Sequence, residues 1–79
     1  MFKAYVPAGN DADNAVSNGT VHCVGQIKNV PADIGLGLLV VFTTGPYVMQ
    51  VYGSISVSGG FAARTRTENH SAWTAWTRL

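Results

Sequence analysis

The chain has 79 residues and a formal net charge of +1, with 47% hydrophobic residues but only 11% charged ones. Charged residues usually make up about 25% of a soluble domain, so Gly, Ser, Thr and Asn hold positions that charge would otherwise take. This length allows one domain over residues 1–79, with a marginal core, because so short a chain buries only roughly 60% of its unfolded surface. Domains of this size lean on disulfides, a metal or oligomerisation. Cys23 is the one cysteine. That excludes an internal disulfide and a four-cysteine zinc site, and leaves a partner chain as the expected support.

The basic residues Lys3, Lys28, Arg64, Arg66 and Arg78 are spread along the chain except for one pair, which gives no electrostatic footprint for nucleic acid. The longest apolar run, Leu38-Leu39-Val40-Val41-Phe42, is far short of the roughly 20 residues of a membrane-spanning helix. No basic segment leads into an apolar one at the start, so neither membrane insertion nor a secretory signal is expected.

In chain order, Phe2 to Val6 is a short strand stopped by Pro7-Ala8-Gly9. Asn10 to Val16 suits one helical turn with Asn10 or Asp11 as N-cap, too short to stand alone as a helix. Ser17-Asn18-Gly19 is a turn signal. Thr20 to Lys28 alternates, with Val21, Cys23, Gly25 and Ile27 on one face. Asn29 to Gly35 is a loop. Leu36 to Thr43 is almost continuously apolar, which predicts a strand covered on both faces. Thr44-Gly45-Pro46 has hairpin length.

Tyr47 to Val57 alternates most cleanly. Tyr47, Met49, Val51, Ile55 and Val57 fall on one face, and Val48, Gln50, Tyr52, Ser54 and Ser56 on the other. Gly53 interrupts it, as a bulge or a close backbone approach. After the turn Ser58-Gly59-Gly60, the strand Phe61 to Thr67 puts Ala62, Arg64 and Arg66 on one face with Glu68 following on the same side. Asn69-His70-Ser71 is a further turn, and Trp73 to Leu79 a last strand. Strands joined by short Gly, Pro and Asn turns predict a mostly β domain: a small antiparallel sheet with one short N-terminal helical turn.

Few residues offer catalytic chemistry. His22 and Cys23 are neighbours on a predicted strand, so their side chains point to opposite faces and cannot act as a dyad. Cys23 reads as a buried structural thiol. Asp11-Ala12-Asp13-Asn14 lacks the glycine and the distant Glu of a calcium loop and reads as a solvated helix cap. His70 reads as an exposed turn residue, and His22 faces solvent or a subunit interface. No catalytic residue, metal or cofactor is expected. The aromatic residues say more. Trp73 and Trp76, three apart, fall on opposite sides of a regular strand. Pairing of the two preceding strands brings Gln50 and Tyr52 beside Arg64 and Arg66. That surface suits sugar hydroxyls through bidentate donors and flat apolar faces, or is an ordinary solvated face with weak ion pairs.

Five elements occur in order: Asn29-Val30-Pro31 ("N-x-P"), Gly37-Leu38-Leu39-Val40-Val41 ("G-x-L-x-V"), Tyr47-Val48-Met49-Gln50-Val51-Tyr52 ("Y-x-x-Q-x-Y"), Arg64-Thr65-Arg66 ("R-x-R"), and Trp73 to Leu79 ("W-x-x-W-x-x-L"). With these the chain resembles the knob domain of phage tail fibres and R-type pyocin fibres, over about residues 10 to 79 and most clearly over 20–79. The Gly19-Thr20-Val21 stretch departs from the usual "G-x-Y" strand start. The resemblance implies a β-rich, non-enzymatic knob at the distal end of a fibre in the virion. It implies a homotrimer, joined to the remainder of the tail fibre, that attaches the particle to a bacterial surface glycan such as lipopolysaccharide. Gln50, Tyr52, Arg64, Arg66, Trp73 and Trp76 are the candidate ligand-binding residues. The alternatives are a purely structural domain that terminates or trimerises the fibre, and an accessory carbohydrate-binding module of an envelope depolymerase.

Overall fold

A computed structural model of the chain describes residues 3–23, 27–31, 34, 36–55, 60–66 and 72–79. The protein is mostly β. Six strands form one sheet in sequence order: β1 (Lys3–Ala4), β2 (Gly19–Cys23), β3 (Gly37–Thr44), β4 (Tyr47–Ser54), β5 (Phe61–Thr65) and β6 (Thr77–Arg78). From β2 onward every neighbouring pair is antiparallel, as a meander requires. The sheet is nevertheless mixed, because β1 pairs with β2 in parallel. The connection from β1 to β2 is long enough to cross over the sheet and return in the same direction, which a two-residue hairpin cannot do. Tyr5 extends the pair: its N–H donates to the Thr20 carbonyl (3.0 Å), and its hydroxyl donates to the Ser17 carbonyl (2.6 Å).

The expected single helical turn is two short 3-10 turns, Ala8–Asn10 and Ala12–Asn14. Asp11 caps the second, its side chain accepting from the Asp13 N–H at 2.9 Å. The turns are not stable alone, since a nucleus this short recovers little hydrogen bonding for the entropy it loses. The sheet holds them in place. Ala12 donates to the Lys28 carbonyl (3.0 Å) and Lys28 to the Asn10 carbonyl (2.8 Å), tying the turns to the loop after β2. Asn18 takes the place of a strand partner for Thr43, donating to its carbonyl (3.1 Å) and accepting from its N–H (2.9 Å).

β3 and β4 join through Gly45-Pro46, with Thr44 opposite Tyr47 and Gly45 at φ +56°, a conformation glycine adopts without the Cβ penalty of other residues. Gly53 makes no bulge. It stays in register between Leu38 and Phe61, and a Cβ there would lie 2.8 Å from the Phe61 ring. The group that comes close at Gly53 is the Phe61 side chain rather than another backbone.

The core lies on one side of the sheet. Val21, Leu39, Val41, Val48, Tyr52 and Ala62 point inward, where Ala12, Ala15 and Ile34 close over them. This corrects the expectation for Leu36 to Thr43. Only Gly37, Leu39 and Val41 of β3 are buried, while Leu38 and Phe42 remain 43% and 44% exposed. The covering segments are too few to cross to the second face. The last segment also differs: only Thr77–Arg78 is strand, preceded by an isolated bridge between Trp73 and Arg66. Thr74 substitutes for a ladder partner, accepting from the Thr65 N–H through its hydroxyl (3.0 Å) and donating its own N–H to the Thr65 carbonyl (2.8 Å). Glu68 and His70 lie outside the described residues, as does the Cys23 side chain.

Candidate functional site

The site grows from one inward-facing cross-strand pair, Gln50 on β4 opposite Arg64 on β5. Period-two alternation puts both on the core side, and both are buried there, at 0% and 7% exposure. A buried amide is stable only when its donors and acceptor are all engaged. The Gln50 amide nitrogen donates to the carbonyls of Ala12 (2.7 Å) and Ala15 (2.9 Å), which emerge from the second 3-10 turn. Its oxygen accepts from Arg64 Nε at 2.8 Å. One side chain therefore fastens the N-terminal segment to the sheet and sets the orientation of the arginine.

Arg64 then runs between the two tryptophans. Its guanidinium carbon lies 4.3 Å from the Trp73 ring centroid and 4.5 Å from that of Trp76. Such contacts reach about 2 kcal/mol when desolvated. Arg64 Nη2 lies 3.0 Å from Asp13 Oδ1. The contact is an ion pair whose angles fall outside hydrogen-bond geometry, so both buried atoms keep unused hydrogen-bonding capacity. Burial pulls the Arg64 pKa below its ordinary value, opposed by the ion pair with Asp13 and the charge of Asp11. A guanidinium remains protonated at physiological pH through such a shift.

The indole N–H groups are spent on backbone. Trp73 donates to the Asp13 carbonyl (3.4 Å) and Trp76 to the Asn29 carbonyl (3.1 Å). Trp76 also meets Tyr52 edge-on, with centroids 6.2 Å apart and planes at 61°. The ring faces and edges are what the tryptophans present. With Asp13, Asn29, Val30 and Arg64 they line an open groove of about 660 Å³. Asn29 has φ +64°, a left-handed conformation that Asn tolerates better than most side chains. From there its amide donates to Asp11 (2.7 Å) and Asp13 (3.3 Å).

The hydrogen bond from Asn29, then that from the Asp13 backbone, holds the Asp11 carboxyl below the usual carboxylate range, with Lys28 and Arg64 adding smaller electrostatic help against burial. A carboxyl with a lowered folded-state pKa contributes stability that is complete above its unfolded value, about 3.9, and disappears as pH falls through the folded value. Melting curves between pH 6 and pH 2 (about two units either side of that value) should therefore show an acid loss that is smaller in Asp11→Asn. An identical acid loss in the two proteins would remove Asp11 from this role.

The six residues proposed from the sequence are thus sorted into three positions. Arg64, Trp73 and Trp76 line the groove. Gln50 and Tyr52 are both 0% exposed and lie beneath it, so the expected open surface of Arg, Gln and Tyr becomes a buried scaffold. Arg66 lies beside Trp73, its guanidinium carbon 5.9 Å from that ring centroid. There it lines a separate groove of about 540 Å³ with Phe42, Tyr47 and Met49. The tryptophans were expected on opposite sides; both meet Arg64, because residues 74–76 are not strand and strand alternation does not govern them. Asp13 and Asn29 were not singled out as site residues. Only the N-x-P motif pointed toward Asn29; Asp13 carries no sequence signal beyond a cap.

No protein-family model matches the chain, and no curated protein or solved structure matches it.

Proposed function

We propose that the chain is a binding module, the receptor-binding knob at the tip of a phage or phage-tail-like fibre. In this reading it acts in the virion as a homotrimer joined to the rest of the fibre. It holds a bacterial surface glycan, such as lipopolysaccharide, in the groove of Trp73 and Trp76. The observation that supports glycan binding is the pairing of two half-buried tryptophan rings with a partly exposed carboxylate, Asp13, and an amide, Asn29, along one open groove. Sugars present apolar C–H faces and hydroxyl rims. Flat aromatic surfaces match the first, and carboxylate or amide oxygens match the second. The rings are held in place before any ligand arrives, by Arg64 and by their own N–H bonds, so little ordering entropy is lost on binding. The fibre assignment rests on the ordered motifs from Asn29 to Leu79.

The groove residues act without bond-making chemistry in this reading, so the test is adsorption. Labelled protein should bind susceptible cells, with Trp73→Ala and Trp76→Ala each weakening binding by about tenfold or more, the scale of one lost aromatic contact. Trp76→Phe, which keeps a flat ring, should retain most of it. Wild-type adsorption by folded alanine variants would move the ligand elsewhere.

A further inference from the structure

We infer that the outward face of the sheet is a self-association surface, covered by a further copy of this chain. The inference rests on the reading above that copies of this chain associate, and it names the face they share. The register builds this face in rows. The central row crosses all six strands: Ala4, Thr20, Val40, Val51, Ala63, Thr77. It is made of small or β-branched side chains. On one side runs a row holding Leu38 and Phe61; on the other runs a row holding Phe42 and Met49. These four bulky residues are 43–56% exposed. The face is therefore a shallow trough between two ridges. Rows of one face are separated by two residues along the strand, about 6.6 Å. A copy shifted by one row lays its ridge in that trough, as interdigitated sheets do.

Charge restricts the occupant. The outward positions of the described strands hold no Asp, Glu, Lys or Arg and one histidine, His22 in the Leu38 row; Arg64 of β5 points to the other side, and Arg66 lies at the border, in a groove with Phe42 and Met49. A charged partner would bury its charges there without counterparts. The complementary surface is ridged, without Asp, Glu, Lys or Arg, and largely apolar, which is what a second copy presents. Size is close to what is needed. Two strands of eight residues, two of five and two of two, at about 3.3 Å per residue and about 4.8 Å apart, make a plane of about 475 Å² per copy, or about 950 Å² for a facing pair, near the threshold for a specific interface. The need is also present, since three of the nine core residues among those described are alanines and a domain this small gains stability from burial between subunits.

The test is mass by light scattering on the full chain at micromolar concentration, with circular dichroism as the check on folding. The wild type should run as an assembly and Met49→Lys at the single-chain mass of 8.4 kDa. Because a lysine can also weaken a strand, Phe42→Thr gives a second reading with a good strand former. Its dissociation constant should rise about tenfold or more. A wild-type assembly that both variants leave intact overturns this interface and spares the homotrimeric reading. A wild-type dimer lost in both variants keeps the interface and removes the trimer. A single-chain wild type overturns both, and sedimentation of those single chains with phosphatidylcholine vesicles would assign the face to lipid instead.

Discussion

Replacing Gln50 by alanine is expected to lower the melting temperature by roughly 15 °C. A domain of this length has only about 4–12 kcal/mol of total stability. Gln50 satisfies three buried groups at once: the Ala12 and Ala15 carbonyls and Arg64 Nε. A buried polar group left without its partner costs about 1–3 kcal/mol, so the combined loss is at least about 3 kcal/mol. Gln50→Met separates this cost from that of a cavity, because methionine fills the same volume without the hydrogen bonds. It should melt nearly as low as the alanine variant. A Gln50→Met protein with wild-type stability would show that packing, not the amide, holds the N-terminal segment on the sheet.

Arg64 carries the second large effect. Arg64→Ala should cost about 2–4 kcal/mol, through the empty space between the tryptophan rings, the abandoned Gln50 oxygen and the lost cation–π contacts. The Asp13 pair adds little to that figure, because the carboxylate is 42% exposed and solvent screens it. Arg64→Lys is the informative companion. Lysine restores a positive charge but supplies neither a flat face for two rings nor a fixed Nε donor for Gln50. It should recover less than half of the loss in urea titrations followed by tryptophan fluorescence. Full recovery would mean that the charge alone matters. Because Arg64 supports the fold, lost adsorption in Arg64→Ala does not by itself locate a ligand, and the tryptophan variants carry that test.

The strand order and the one-sided alternation were legible because period two places whole sets of residues on one face. Tyr47, Met49, Val51 and Ile55 point away from the core side that holds Val48, Gln50 and Tyr52, in agreement with the alternation. Alternation says which residues share a face, but not which face is covered. For that reason Leu36 to Thr43 looked like a fully buried strand, although its second face is open. The same ambiguity made Arg64 look solvent-facing. Its partners come from Asp13, Gln50, Trp73 and Trp76, and only the folded chain brings the first two within reach of the last two. Trp73 and Trp76 were misplaced for a different reason. Their spacing implies opposite sides only on a regular strand, and Thr74 takes over the hydrogen bonds of Thr65 with its hydroxyl as well as its backbone. The motif residues Asn29, Gln50, Tyr52, Arg64, Trp73 and Trp76 nonetheless prove to be one connected cluster. Their order along the chain was visible, but their convergence depends on the meander that folds β4, β5 and the last segment side by side.

The central claim is that the Trp73–Arg64–Trp76 groove is a preformed ligand site. The chain has two tryptophans, so a proton–nitrogen correlation spectrum of the labelled protein contains two indole signals, both from the groove. Titration with polysaccharide fragments from cells to which the protein adsorbs should shift both signals saturably and leave the backbone N–H of Met49, whose side chain faces the opposite side, unmoved. Indole signals that stay fixed while backbone signals elsewhere move would place the ligand outside the groove and contradict the account.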